Sequence, residues 1–180
     1  MKMASNDFST ADRQTKYDFT ASTIAYLEKT GHHAPVAFYE ENIYGDLVPF
    51  GSLDANPFAR IDLYMQYGNW WYAIELKGRW KFNSTEPLLV VSGTYYNYEK
   101  EEPLKEAQEK GFIPLWAELY PDAVVRVWNV SNIKASELPS DEKTIQRYTC
   151  ISSSPRKRQK RALLPVSAAT EYKRIKSLMI

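Results

Sequence analysis

Two acidic residues and a lysine near the middle of the chain have the types and spacing that metal-dependent phosphodiester hydrolysis uses. Glu75 follows Asp62 by thirteen positions, and Lys77 lies two positions beyond Glu75. Mg²⁺ prefers oxygen ligands and often takes one or two carboxylates while keeping waters for a substrate phosphate. A lysine beside such an ion can orient or deprotonate a water and stabilise the charge that develops at phosphorus. The spacing therefore predicts a hydrolytic metal site, provided that the fold brings these residues together.

A β-hairpin is the element that would bring them together. Residues 60–67 alternate between apolar and polar side chains, and residues 70–78 continue as a second strand. Gly68-Asn69 between them is typical of a two-residue type II′ turn, which pairs Tyr67 with Trp70. In this register Asp62 lies opposite Glu75, with Cβ atoms about 5 Å apart, and Lys77 shares their face. The alternation assigns Ile61, Leu63 and Met65 to one face and Arg60, Asp62, Tyr64 and Gln66 to the other.

The segment from Asp62 to Glu75-Leu76-Lys77 resembles the signature of the PD-(D/E)xK nuclease superfamily, which has the restriction-endonuclease-like fold. The expected order of a helix, a strand, this hairpin, a second helix and another strand resembles the core of that superfamily over about residues 14–130. The resemblance implies an α/β (α+β) domain in which helices flank a central mixed β-sheet. It also implies hydrolysis of nucleic acid with Mg²⁺ or Mn²⁺, with DNA favoured over RNA and an endonuclease favoured.

By the same resemblance, Asp62 and Glu75 would be metal ligands, the Leu76 carbonyl a further ligand and Lys77 the catalytic lysine. The chain departs from the motif at Ile61, where the name of the motif has proline. Many members of the superfamily complete the site with an acid from the first helix. We expect Asp18 to take that role because it lies near the start of the predicted helix. The other acids that could take it are Glu28 on the same helix and Glu40 or Glu41 at the end of the first strand.

Basic residues are concentrated near the end of the sequence. Residues 147–180 contain nine basic side chains and one acidic side chain, a net charge of +8, whereas the whole chain carries +1 and the rest therefore −7. Such a segment suits contacts with backbone phosphates, which are independent of base sequence. A solvated charged loop or a nuclear-localisation signal has the same composition. The expected nucleic-acid contacts are Arg79, Lys81, Arg156, Lys157, Arg158, Lys160 and Arg161.

The composition is that of one globular domain over residues 1–180, with 44% hydrophobic and 25% charged residues. Its only cysteine, Cys150, excludes an intrachain disulfide and agrees with a reducing compartment. We read Cys150 as a small hydrophobic residue rather than a nucleophile. The sequence has no apolar leader and no run of about 18 apolar residues, so we expect a cytoplasmic protein that does not contact membranes. The resemblance also allows a homodimer.

Periodicity and turn residues predict the remaining elements. The first helix covers residues 11–30, ends at Gly31 and buries Tyr17, Ala21, Ile24, Ala25 and Leu27. A second helix covers 96–110, with its regular part beginning near Pro103, and a short third helix covers 168–176. Strands are expected at 36–39, 88–92, 113–119, 124–130, 148–152 and 161–166, and a loop at 42–58. The last pair of strands and the third helix would form a basic C-terminal unit over about 145–180.

A second hypothesis keeps the same fold without catalysis. Aromatic residues make up 14% of the chain and could stack on bases, and the basic segment could bind phosphates. The alternative function is therefore a catalytically inactive nucleic-acid-binding or assembly module.

Overall fold

The computed structural model describes residues 2–80, 83–85, 94–131 and 161–177, with side chains described in 12–80, 83–85, 102–131 and 164–177. Within these ranges the chain forms two α-helices, nine strands and one short 3₁₀ helix. In chain order they are α1 (Lys2–Lys29), β1 (Val36–Glu41), β2 (Leu47–Pro49), β3 (Leu63–Tyr67), β4 (Trp70–Gly78), β5 (Thr94–Asn97), α2 (Tyr98–Glu109), β6 (Ile113–Tyr120), β7 (Val124–Asn129), β8 (Arg161–Leu164), the 3₁₀ helix (Val166–Ala168) and β9 (Thr170–Lys173).

Seven of these strands form one mixed sheet in the order β2-β1-β3-β4-β6-β7-β9. Every neighbouring pair is antiparallel except β4 and β6, which run parallel. A parallel pair needs a crossover, and α2 lies in the connection between β4 and β6. The strands β5 and β8 pair separately as a two-stranded antiparallel sheet. The expected mixed α/β architecture is confirmed at this level.

Apolar residues cover both faces of the large sheet. On one face, which we call the α1 face, Phe19 of α1 packs with Leu63, Ile74 and Leu115. On the opposite face, the α2 face, Leu104 and Ala107 of α2 pack with Tyr64, Ala73, Trp116 and Trp128. Both clusters include residues of β4, so this strand is buried on both sides, as expected for a strand with a parallel neighbour in the middle of a sheet.

The register of the β3–β4 hairpin is as expected. The paired residues run from Tyr67 with Trp70 to Leu63 with Ile74. Gly68 has φ 57°, the positive value that the first central position of a type II′ turn requires. Strand β4 has the bounds that the sequence predicts, whereas β3 begins at Leu63 rather than at residue 60.

The expected apolar alternation holds within β3 but does not extend to the residues before it. Leu63 and Met65 pack on the α1 face, but Ile61 packs with Tyr64 in the cluster of the α2 face. The prediction that Ile61 shares a face with Leu63 and Met65 is therefore wrong. The physical reason is that residues 61 and 62 precede the ladder, so the alternation of an extended strand does not constrain them.

Helix α1 begins at Lys2, nine residues earlier than expected, and ends at Lys29. Gly31 follows with φ 79°, and the His32 N–H donates to the Leu27 carbonyl at 2.8 Å, which is a Schellman-type end. The expected apolar face of the helix is wrong, since Ile24 is 40% exposed. The residues that α1 buries are mostly polar: Thr15, Asp18, Phe19, Thr20, Ser22 and Thr23.

The buried polar face of α1 is explained by the C-terminal segment that covers it. The Thr23 hydroxyl is 2.8 Å from the Tyr172 hydroxyl, and the Ile175 N–H donates to the Ser22 hydroxyl at 2.7 Å. The rings of Tyr26 and Tyr172 stack with centroids 4.5 Å apart. Polar groups can be buried here because each has a hydrogen-bond partner.

Three further expectations need correction. The helix expected at 168–176 is a 3₁₀ turn followed by β9, which pairs with the outer edge of β7. Helix α2 begins at Tyr98, five residues before Pro103, and residues 94–97 before it form β5. The expected loop at 42–58 contains the short strand β2, which pairs with the outer edge of β1. The strands expected at 88–92 and 148–152, and Cys150, lie outside the described residues.

Neither of the two described helices is long and apolar enough to cross a membrane.

We predict that Gly68→Ala destabilises the protein by about 1–2 kcal/mol, because a side chain at positive φ brings Cβ too close to the neighbouring backbone. Space is not the cause, since the nearest atom to a new Cβ would be the Ala34 Cβ at 3.5 Å. Urea unfolding of Gly68→Ala and of the matched turn variant Asn69→Ala measures the effect. Equal free energies of unfolding for the two variants would contradict the assigned turn.

Candidate functional site

The Asp62 carboxylate lies where the β3–β4 ladder ends. The strand pairing stops at Leu63 with Ile74, and the next pair in that register would be Asp62 with Glu75. The Leu76 N–H donates to Asp62 Oδ2 at 2.9 Å. Asp62 thus replaces a strand carbonyl as the acceptor for β4, and its carboxylate is held against the backbone between Glu75 and Lys77.

The Leu76 carbonyl has a defined direction as a result. In a strand, the N–H and C=O of one residue point toward the same neighbour, as the exchange of both bonds in an antiparallel pair shows. Because the Leu76 N–H points to Asp62, the Leu76 carbonyl is directed to that same edge of β4. The carbonyl that the nuclease resemblance names as a ligand is therefore on the side of the Asp62 carboxylate.

Glu75 is buried on the α2 face, with 1% of its surface exposed. Its Oε1 is 3.4 Å from Lys77 Nζ, and the Lys77 side chain is 32% exposed. The Lys77 ammonium also lies 5.8 Å from the centre of the Trp116 ring, within the range of a cation–π contact. The protein itself thus offsets the repulsion expected between the two acids, since Lys77 neutralises Glu75 and a backbone N–H binds Asp62.

The donor types at this end of the hairpin are those that a hard divalent cation takes. They are the Asp62 carboxylate at the Leu76 N–H, the Glu75 carboxylate on the α2 face and the Leu76 carbonyl, and oxygen donors are the ligand chemistry of Mg²⁺. Within the part of the chain that the structure describes, no group of three or more His, Cys, Asp or Glu side chains is arranged to hold a metal. A site of two carboxylates matches Mg²⁺ better than metals that need an all-protein cage, because Mg²⁺ retains several waters.

Asp18 has a different position from the one expected. It is fully buried, and its carboxylate accepts from Arg174 Nη2 at 2.6 Å and from the Ser177 N–H at 2.9 Å. Gln14 Nε2 donates to the same carboxylate at 2.6 Å. These contacts tie α1 to the C-terminal segment, and they account for the burial of Asp18 without a metal. Glu28, the other acid considered on this helix, is exposed.

The α1 acid in the electrostatic environment of Asp62 is Asp12, which the sequence reading missed. Partial desolvation raises the pKa of Asp12 most, although the residue keeps contact with solvent. Lys16 and Lys77 lower that pKa, whereas Asp62 and Glu40 raise it. Six positions turn the helix by about 600°, so Asp12 and Asp18 point about 120° apart, and the packing of α1 decides which of them faces Asp62.

The two acids of the first strand have partners of their own. Glu40 Oε2 is 2.9 Å from Lys16 Nζ, and the Gly51 N–H donates to Glu40 Oε1 at 3.4 Å. Glu41 accepts a short hydrogen bond from the Tyr64 hydroxyl. Glu40 therefore joins the charged group around Asp12, whereas Glu41 of β1 binds the Tyr64 hydroxyl of β3.

Arg79 was expected to contact nucleic acid, but its guanidinium binds within the protein. Its Nε and Nη2 donate to Glu118 Oε1 at 2.9 and 2.6 Å. Glu118 is fully buried and also accepts from the Trp116 indole at 3.2 Å and the Tyr120 hydroxyl at 2.5 Å. A carboxylate buried on that scale needs such a partner, so the arginine has a structural role there.

The side chains of the other basic residues expected to bind nucleic acid are not among those described. Arg161 is the first residue of β8, and its side chain is not among those described. The remaining ones lie outside the described residues: Lys81, Arg156, Lys157, Arg158 and Lys160.

No protein-family model, curated protein or solved structure matches this chain. Evidence for its function therefore comes from its own residues and their geometry.

We predict that Asp18→Ala lowers the free energy of unfolding by about 3–5 kcal/mol, because it leaves the largely buried Arg174 without its carboxylate. Glu28→Ala, which removes an exposed acid from the same helix, should change it by less than about 0.5 kcal/mol. Urea unfolding measures both values, and titration with Mn²⁺ measures metal affinity. A loss of metal affinity in Asp18→Ala with unchanged stability would show that Asp18 is a metal ligand and that its contacts with the C-terminal segment do not stabilise the fold.

Proposed function

We propose that this protein is a divalent-metal-dependent nuclease that hydrolyses phosphodiester bonds, with DNA favoured as its substrate. The proposal includes a restriction-endonuclease-like core, formed by α1, β1, β3, β4, α2 and β6. The order and directions of these elements support that likeness, with an antiparallel β1-β3-β4 meander and β6 parallel to β4.

One observation carries the proposal. The Asp62 carboxylate binds the backbone N–H at the centre of Glu75-Leu76-Lys77, at 2.9 Å. This bond holds the Asp62 carboxylate at Leu76, the residue between Glu75 and Lys77 in the chain. The sequence motif alone could occur by chance, but this contact joins its two halves, which are fourteen positions apart.

Each residue has a role that follows from its surroundings. Asp62 and Glu75 would bind Mg²⁺ or Mn²⁺ together with the Leu76 carbonyl, and we assign Asp12 rather than Asp18 as the α1 acid of the site. When bound, the ion would polarise a phosphate oxygen and make water more acidic. Lys77 is the only partly exposed member of the Glu75–Lys77 pair, so its ammonium group can approach both the attacking water and the phosphate.

Substrate contacts follow from charge rather than from side chains already in place. The basic residues 156–161 would bind backbone phosphates, which increases affinity for any sequence. Duplex cleavage on both strands would need two such sites, so a homodimer belongs to this proposal. A cytoplasmic location also belongs to it, supported by the presence of a single cysteine.

One observation favours the alternative of an inactive nucleic-acid-binding or assembly module. Glu75 is 1% exposed and already paired with Lys77. A metal ligand must exchange such a partner for the ion, whereas a structural ion pair need not. The two functions therefore differ in whether Glu75 turns from Lys77 to a cation.

We predict that the native protein cleaves DNA only with Mg²⁺ or Mn²⁺, and that Glu75→Gln and Lys77→Met each reduce the rate by about 10²-fold or more. Plasmid, single-stranded DNA and RNA should all be assayed with and without the ions, because each reports a different substrate class. Gel electrophoresis of the products measures the rate.

Glu109→Gln is the matched control, since it removes an exposed carboxylate from the end of α2 without approaching the site. Circular dichroism and urea unfolding should show that all variants remain folded. If Glu75→Gln and Lys77→Met cut as fast as the control, the catalytic assignment is wrong. Salt-sensitive binding without metal-dependent products would instead support the inactive module.

A further inference from the structure

A small cavity lies on the α2 face beside the candidate site. Its volume is about 220 Å³, and it is a partly open pocket lined by α2, the residues that enter β3, and Phe112 before β6. Its apolar lining includes Ile61, Tyr64 and Phe112, and the rings of Tyr64 and Phe112 are 5.1 Å apart at an angle of 59°. Tyr64 is 4% exposed, so the Phe112 ring is the aromatic surface that a ligand can contact.

The charged lining of this cavity has no net charge. Glu41 and Glu106 supply two carboxylates, and Arg60 and Lys110 supply two cations. A phosphate or a metal ion alone would meet as much repulsion as attraction there. Donors and acceptors are both present, so the lining suits a neutral ligand that carries both kinds of group.

The size and the rings narrow the class of ligand further. Pockets that hold drug-sized molecules have volumes of roughly 300–1,000 Å³, so this cavity suits something smaller, such as one flat ring system. Aromatic side chains stack on nucleobases of every kind because each base has a π face. A single base therefore matches the cavity in size, in flatness and in lack of charge.

One carboxylate is fixed in position at the wall. Glu41 accepts the Tyr64 hydroxyl through one oxygen, and a carboxylate has a second oxygen that can accept from a ligand. Burial and then the hydrogen bond to Glu41 raise the pKa of Tyr64, so this hydroxyl stays a donor at neutral pH. The hydrogen bond from Tyr64 thus holds the Glu41 carboxylate in place, and its second oxygen can still accept a hydrogen bond from a ligand.

The lining also contains an ion pair that a ligand can open. Arg60 Nη1 is 3.1 Å from Glu106 Oε2, and the two side chains are 57% and 48% exposed. Exposed pairs of this kind contribute about 0–1 kcal/mol, so a ligand can exchange with them at little cost. A guanidinium group also has five N–H donors, so two of them can bind a pair of adjacent acceptors on a ligand while another binds Glu106.

The cavity is next to the residue that would bind the metal. Ile61 precedes Asp62 in the chain, and Tyr64 follows it by two positions.

We propose that this cavity binds one nucleobase of the bound strand, with guanine preferred. The inference rests on the proposed function in one respect, since it takes the base to belong to the strand that is cut. Arginine recognises guanine through the adjacent acceptors O6 and N7, the commonest specific contact to a base. Guanine also has an N2 amino donor for a carboxylate, whereas adenine lacks the acceptor pair. The preference is therefore set by Arg60 with Glu41.

Nucleosides without phosphate test this apart from cleavage. The full-length, ¹⁵N-labelled protein would be titrated in metal-free buffer with guanosine, adenosine, cytidine and thymidine, with chemical-shift changes followed by NMR. We expect guanosine to bind most tightly and to shift the amides of residues 60–64 and 106–112. We expect Arg60→Ala and Glu41→Gln each to weaken guanosine binding by about tenfold, which corresponds to about 1.4 kcal/mol.

Two control variants separate the pocket from the rest of the protein. Lys173→Ala removes an exposed cation from β9, at the far edge of the sheet, and should leave guanosine binding unchanged. Glu75→Gln should also leave it unchanged, which makes the result independent of catalysis. No binding of any nucleoside, shifts confined to other residues, or tighter binding of cytidine than guanosine would overturn the proposal. If the protein cleaves DNA, the sequenced product ends should be enriched in guanine, and Arg60→Ala should remove that enrichment.

Discussion

The hydrogen bond from the Leu76 N–H to the Asp62 carboxylate is the contact on which the candidate site depends. It lies at the end of the β3–β4 ladder, where a strand carbonyl would otherwise have accepted the bond. β4 is buried on both faces and paired on both edges, antiparallel to β3 and parallel to β6. A central strand of this kind cannot move without breaking two ladders, so the charged groups on either side of Leu76 have a rigid base.

Buried acids in this protein share one solution to the cost of burial. Glu118 is paired with Arg79 and Asp18 with Arg174, and both carboxylates are fully buried. Glu75 follows the same pattern with Lys77, although its N···O distance of 3.4 Å is longer than the 2.6 Å of the other two. Removing one partner from a buried pair is costly because the other charge remains in a medium that solvates it poorly. The Glu75–Lys77 pair therefore differs from the structural pairs in its looser geometry, and Lys77, at 32%, is somewhat more exposed than Arg79, at 23%.

The hairpin could be predicted from the sequence because all of its determinants are local. The turn residues Gly68-Asn69 and the apolar alternation after Leu63 agree on one register, and the structure has that register. Ile61 could not be placed, because the point where a strand ends depends on a tertiary acceptor, here the Asp62 carboxylate. The cavity beside β3 was also beyond the sequence, since it needs α2 and Phe112 to be positioned over the sheet.

Distant partners explain the other errors. The sequence placed Ile24 on the buried face of α1, but the face is set by groups that bind Asp18 and Ser22 from the other end of the chain. The segment after residue 168 has the composition of a helix, yet it forms β9 because β7 presents an open edge. Asp12 was missed for a related reason, since only the orientation of the packed helix separates it from Asp18. Local propensity is a weak guide wherever tertiary partners are available.

The tie between Asp18 and the C-terminal segment also sets an order of events during synthesis. Arg174 lies 156 positions after Asp18, and Ser177 lies 159 positions after it. As the polypeptide emerges from the ribosome, α1 can coil early, but its polar face has no cover until almost the last described residues have been made. Closing so long a loop is slow compared with forming local structure. Helix α1 is thus completed by a segment that is translated long after it, and a chain cut short before residue 174 would leave a carboxylate facing the core without its arginine.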